Sequence, residues 1–166
     1  MKLDNILIGY KDPQNIYLID FGLSCKYLNE DGTHVEKKYM QKFSGNFIFA
    51  SLNSCRGYNK SRRDDIQSLI YIMVYLLNNS NLPWSEFHKI FKNGNYEFND
   101  YLRKRLDIKY TKDFFKLSPK SLRDIIKRVL TLQFDEEPPY DTICDKLRQE
   151  ISKEIPIDQN NQANNH

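Results

Sequence analysis

Two short segments carry residue types suited to holding a metal against phosphate. Lys2-Leu3-Asp4-Asn5 sets an amine three residues before a side-chain amide. Asp20-Phe21-Gly22 sets a carboxylate before a glycine. Magnesium prefers hard oxygen ligands and usually takes one or two from protein, with phosphate oxygens completing its shell. The Asn5 amide oxygen and the Asp20 carboxylate are ligands of that kind. Lys2 is close enough in sequence to reach a phosphate as a point charge.

Those groups work together only if the chain returns on itself between them. The apolar runs Asn5 to Gly9 and Ile16 to Ile19 flank Lys11-Asp12-Pro13-Gln14-Asn15, a Pro and Asn turn cluster. That pattern predicts a β-hairpin, which brings Asn5 and Asp20 to one end. Gly22 to Arg56 shows no sustained period and predicts a long, partly ordered loop with a turn at Asp31-Gly32. Ser61 to Asn78 predicts the dominant helix. Ser61 caps it, Asp64 and Asp65 occupy its first turn, and Ile66, Leu69, Ile70, Met73 and Leu77 keep helical spacing. Apolar residues on its other faces predict burial on most sides. Ser85 to Lys92 predicts a short helix, and Pro119 to about Leu132 a longer one. A last helix is expected from a cap at Asp141, with Ile143, Cys144, Leu147 and Ile151 on one face. The Asn- and Gln-rich residues 156–166 have little to bury and predict a disordered tail. The expected fold is mainly α with a short N-terminal β-hairpin.

The compound pattern is more telling than either segment. Lys-x-x-Asn, an apolar strand, a turn, a second apolar strand and Asp-Phe-Gly together resemble the catalytic and metal-binding loops of protein kinases. Further blocks are similar to the casein kinase 1 family. Phe43-Ser44-Gly45-Asn46-Phe47-Ile48-Phe49-Ala50-Ser51-Leu52-Asn53 resembles its substrate-docking stretch, which carries Ser-Ile-Asn where most kinases have Ala-Pro-Glu. Ser61-Arg62-Arg63-Asp64-Asp65-Ile66-Gln67-Ser68-Leu69 resembles its Ser-Arg-Arg-Asp-Asp-Leu-Glu-Ser-Leu. Leu82-Pro83-Trp84 and Phe134-Asp135-Glu136-Glu137-Pro138-Pro139-Tyr140 resemble two later blocks. The resemblance implies the large, C-terminal lobe of a kinase over residues 1–155, without the small lobe.

It also implies roles. Asn5 and Asp20 would hold magnesium on ATP, and Lys2 would steady the transferred phosphate. Asp65 would brace the catalytic-loop backbone. Gly45 and Asn46 would belong to the substrate-docking loop. Arg62 and Arg63 would read the anion of acidic or phosphate-primed Ser/Thr protein substrates, and adjacent arginines at a helix start suit phosphate. Their competing use is pairing with Asp64, Asp65 or Glu36. Leu3 stands where the family has Pro. Asn46 stands where the family often has a Thr that bonds the catalytic Asp and the Lys equivalent to Lys2.

Alignment with the family's His-Arg-Asp-x-Lys-Pro-Asp-Asn sets Met1 just after the catalytic Asp. The base, the Gly-rich loop, the strand Lys and the adenine pocket are therefore expected upstream of these residues. Phosphoryl transfer depends on positioning and charge stabilisation. The expectation is a kinase fragment that is inactive alone, binds neither ATP nor Mg2+ stably, and presents apolar surface to a small lobe. Supply of that lobe in trans is a conceivable partnership with no sequence support. The alternative is a pseudokinase-like binding or scaffold module.

Composition fits these readings. Lys plus Arg is 25 and Asp plus Glu is 22, so a net charge of +3 gives no case for nucleic acid. The longest apolar run, Leu69 to Leu77, is far short of the about 20 residues a membrane helix needs. Cys25, Cys55 and Cys144 have no Cys-x-x-Cys spacing, which suits reduced thiols in a cytoplasmic or nuclear protein. The run Arg103-Lys104-Arg105 reads as a solvated face.

Overall fold

The structure is a computed structural model and describes residues 1–40, 43, 45–86, 102–103 and 112–154. Most of the short helix expected over 85–92, Lys104 and Arg105 of the basic run, and the tail 156–166 lie outside those residues.

The front of the chain is the expected hairpin. A single 3-10 turn at Leu3–Asn5 leads into β1 (Ile6–Ile8), which pairs antiparallel with β2 (Ile16–Leu18). Ile6 faces Leu18 and Ile8 faces Ile16 in the register. Asp12 builds the turn, its carboxylate accepting from the Gln14 main-chain N–H at 3.1 Å and the Asn15 side-chain amide at 2.8 Å. Gly9 is needed there. A Cβ on it would lie 2.5 Å from the Asp12 carbonyl oxygen, closer than real atoms come.

The stretch after the hairpin is better anchored than its composition suggests. Leu28 and His34 form a bridge around a turn in which Asp31 accepts from Thr33 and Gly32 takes a positive φ of 81°. Tyr39 bridges Tyr58. The His34 ring meets Phe134 edge-on at 4.9 Å, and the Arg62 guanidinium lies over Tyr27 at 4.8 Å. Aromatic docking at a distance in sequence, not local periodicity, holds this segment.

A short helix α1 (Leu52–Cys55), not foreseen in the sequence, begins at Ser51, whose hydroxyl accepts from the Ser54 N–H. The dominant helix α2 (Arg62–Leu77) matches expectation in position and in its start at Ser61. The Asp64 carboxylate reaches back to the Ser61 N–H at 2.9 Å, which satisfies one of the orphan donors of the first turn. Ile70, Tyr71, Ile72 and Val74 are buried, as expected of a helix apolar on several faces. Burial is less complete than predicted, because Leu69 is 38% exposed, Leu76 54% and Leu77 53%.

Behind α2 the chain is helical. The elements are α3 (Lys112–Lys116), a 3-10 turn at Lys120–Leu122, α4 (Arg123–Leu130) and α5 (Tyr140–Glu154). α3 is too short to show a periodic signal. Asp141 was expected as the cap of the last helix. It lies instead within the first turn, since α5 starts at Tyr140, right after Pro138-Pro139. The core gathers where α2, α3 and α4 meet. Tyr71, Trp84 and Phe114 pack there as a trio with ring centroids 5.3–5.6 Å apart. Among the described residues no helix is long and apolar enough to cross a membrane.

Candidate functional site

The hairpin register sets the first pair of residues. Pairing of Ile6 with Leu18 puts Asn5 opposite Ile19, and the Ile19 N–H donates to the Asn5 carbonyl at 3.0 Å. Asp20 follows directly, in the left-handed region at φ 62°. A non-glycine residue held there is uncommon and costs about 1–3 kcal/mol, a strain found often at ligand sites. The Asp20 side chain is exposed, and among the described residues neither it nor the Asn5 side chain makes a hydrogen bond or ion pair. The backbone thus sets Asn5 and Asp20 one register position apart, and two uncommitted oxygen groups so placed suit a hard cation that takes the rest of its shell from phosphate. Lys2 is half-buried at the start of the same turn, its ammonium group likewise uncommitted.

The second part is the N-terminus of α2. Asp64 and Asp65 are neighbours with different surroundings. Asp65 is exposed, and its Oδ1 lies 3.4 Å from the main-chain ammonium nitrogen of Met1. It thereby ties the Met1–Asn5 segment to α2. Asp64 is 3% exposed. It accepts from the Ser51 hydroxyl and the Ser61 N–H, and the Arg63 Nε lies 3.7 Å from its Oδ2. A buried carboxylate is tolerated when such donors replace its water. The spacing of Asp64 after Ser61 signals a cap, but sequence alone does not show that its other oxygen joins α2 to α1.

The third part is the segment around Gly45. Gly45 has φ 140°, which side-chain-bearing residues rarely adopt. The Asn46 side-chain oxygen accepts from the N–H groups of Ile48 at 2.8 Å and Phe49 at 3.2 Å, folding residues 46–50 into a turn. This local role fully engages that oxygen, so Asn46 does not reach Lys2 with it. Trp84 supports the turn from below. It is fully buried, and its indole N–H donates to the Ile48 carbonyl at 2.8 Å. In sequence the Leu82-Pro83-Trp84 block carries only a resemblance, and its link to this turn spans 36 residues. Between Gly45, Asn46, Ser51 and Asp65 lies a cavity of about 20 Å3, room for one water.

Arg62 and Arg63 do not share an open surface. Arg63 is 4% exposed, donates to the Leu132 carbonyl at 3.0 Å and lies over the Phe134 ring. Arg62 donates to the Asp135 carbonyl at 3.0 Å and lies 3.7 Å from the Glu137 carboxylate. Both tie α2 to the segment before α5. Of the acidic partners weighed from sequence, only Asp64 is used, and the use of Glu137 required knowing the fold. Nearby, burial pushes the Tyr140 hydroxyl above its usual pKa. Among the described residues no cluster of three or more His, Cys, Asp or Glu side chains is arranged to hold a metal. A metal at Asn5 and Asp20 would therefore depend on phosphate ligands.

No family model matches the chain. The chain is 42% identical over 86 residues to a "probable casein kinase I homolog" of Encephalitozoon cuniculi, a match covering 52% of this chain and 26% of that protein. It thus spans about a quarter of the relative's length. This identity, over half of the chain, relates the protein to protein kinases.

Proposed function

We propose that these residues form the helical, substrate-docking lobe of a casein kinase 1-like serine/threonine kinase. The complete enzyme would transfer a phosphoryl group from ATP to Ser or Thr of acidic or phosphate-primed proteins. The observation that carries this reading is the adjacency of Asn5 and the strained, uncommitted Asp20 at the mouth of the hairpin. The kinase relative supports it.

The residues fit a magnesium–phosphate group. Asn5 and Asp20 would hold the metal, which when bound offsets charge on the phosphate oxygens. Lys2 adds a positive charge beside the same phosphates. Asp65, at the start of α2 beside Met1, would brace the Met1–Asn5 turn. Gly45 and Asn46, buttressed by Trp84, form a rigid edge for an extended peptide. A role for Arg62 in reading substrate anions would require its release from Glu137. Arg63 would have to leave the core.

No Asp among these 166 residues aligns with the family's catalytic Asp. By themselves they are proposed not to transfer phosphate. Manganese added with ATP tests the metal site, because its unpaired electrons broaden nearby NMR signals. Broadening centred on Asn5, Ile19 and Asp20, with ATP affinity weaker than micromolar and no transfer, is expected. Broadening centred elsewhere would sink the site assignment, and measurable transfer would sink the claim of inactivity.

A second reading, a binding module, accounts for one observation that the kinase reading also expects. Ile8, Ile16, Leu76 and Leu77 are more than half exposed on the hairpin and α2. Coding sequence in frame upstream of Met1 separates the readings. His-Arg-Asp and a Gly-rich loop there support the enzyme, and their absence supports the module.

A further inference from the structure

We propose that Lys60 is the residue that reads an anionic side chain of a peptide lying along Gly45 and Asn46. The inference rests on the kinase reading above and adds a specificity-determining residue to it.

The geometry is local and simple. Gly45 has no side chain, and a Cβ built on it would lie 3.4 Å from the Lys60 Nζ. The ammonium group therefore rests against bare backbone at the edge of the docking turn. Lys60 is half-buried, yet among the described residues it makes no ion pair or hydrogen bond. A partly desolvated, uncommitted cation attracts a carboxylate or phosphate more strongly than one in open water.

The neighbouring charges do not neutralise it. Asp64 and Asp65 line the same small cavity. Asp64 is already satisfied by Ser51, the Ser61 N–H and Arg63, and Asp65 faces the Met1 ammonium group. The two arginines next in sequence are held by Leu132, Asp135 and Glu137. Among the described residues, Lys60 is thus the cation beside the turn that is left for a ligand. A lysine binds as a point charge on a flexible stem, so it would accept glutamate, aspartate or a phosphorylated side chain alike.

The test uses the whole 166-residue chain and two fluorescent serine peptides. They differ only in having glutamates or glutamines flanking the serine. Anisotropy should show the glutamate peptide bound about tenfold more tightly, the scale of one charge-assisted contact. Lys60→Met should cut that preference to near equality, and Lys60→Glu should reverse it toward the glutamine peptide. Lys127→Met removes one charge from the exposed side of α4 and should leave the preference unchanged. A preference that survives Lys60→Met, or falls equally with Lys127→Met, overturns the assignment. Equal binding of both peptides by the unaltered chain overturns Lys60 while the docking edge stands. Binding of neither peptide removes the docking edge, and Lys60 with it. Emission from Trp84 checks that each variant is folded.

Discussion

The indole N–H of Trp84 donates to the main-chain carbonyl of Ile48 across 2.8 Å, joining a fully buried core residue to the turn that carries Gly45 and Asn46. The outer edge of the site therefore inherits its rigidity from the core. Tyr71 and Phe114 hold the ring, and the ring holds the turn.

Trp84→Phe keeps most of the apolar contact and removes the donor. A loss of about 1–3 kcal/mol is expected, from a smaller ring and the lost hydrogen bond to the Ile48 carbonyl. Trp84 is the single tryptophan. Its emission in the unaltered chain should therefore follow a urea titration as one transition, with a blue-shifted folded state. If Trp84→Phe leaves the far-UV CD midpoint unchanged, the turn is not braced from the core.

Asp64 makes a sharper case. Its carboxylate serves the Ser51 hydroxyl, the Ser61 N–H and Arg63, all buried. Asp64→Ala would strand the Arg63 charge and two donors at once. Breaking a buried pair this way costs about 3–5 kcal/mol, a large share of the roughly 5–15 kcal/mol that holds a domain folded. Asp64→Asn keeps an acceptor and should fall between. Urea midpoints order the three proteins. Equal midpoints for Asp64→Ala and the unaltered chain would mean that Arg63 finds other partners.

How much of this was legible in the sequence depends on the range of each interaction. The hairpin, the start of α2 at Ser61 and its acidic first turn are local patterns, readable from spacing and composition. The adjacency of Asn5 and Asp20 follows once the hairpin is accepted. The use of Arg62 by Glu137 joins residues 75 apart, and the link from Trp84 to Ile48 depends on packing that no periodicity encodes. The exposure of Leu76 and Leu77 was hidden for the same reason. An apolar helix looks the same in sequence whether or not every face has a partner. α1 was missed because four residues cannot carry a helical period.

Acid should loosen the segment between α4 and α5. The Glu136 carboxylate accepts from the Gln133 N–H at 2.8 Å and pairs with Arg128, and both hold its pKa below the ordinary glutamate value. A group depressed in the folded state contributes stability that is present above its unfolded pKa, roughly 4.3. That contribution is lost as pH falls through the lower folded value. Asp31, lowered by Thr33, and Glu150, lowered by Ser121, act in the same direction. Thermal midpoints should fall as pH drops below roughly 4.3, and Glu136→Gln should flatten part of that slope. An unchanged slope in Glu136→Gln would show that the pairing with Gln133 and Arg128 adds nothing in solution.

Asp65 differs from its buried neighbour, and its replacement should separate stability from positioning. The pair it makes with the Met1 ammonium group is exposed, so its worth is about 0–1 kcal/mol and falls with salt. Asp65→Ala should therefore leave the urea midpoint almost unmoved. Its effect should appear in amide exchange at the front of the chain. Without the tether, the segment carrying Lys2 and Asn5 is held to the body chiefly by Met1, Leu3 and Ile6 against the core. Exchange at Asn5 and Ile6 should quicken several-fold in Asp65→Ala, while protection at Tyr71 and Val74 inside α2 stays as it was. Acetylating the Met1 nitrogen removes the same charge from the other side and should reproduce the effect. Faster exchange throughout α2 would instead make Asp65 a support of the helix. Unchanged exchange at Asn5 would mean that the apolar contacts alone hold the segment, and that Asp65 does not set its position.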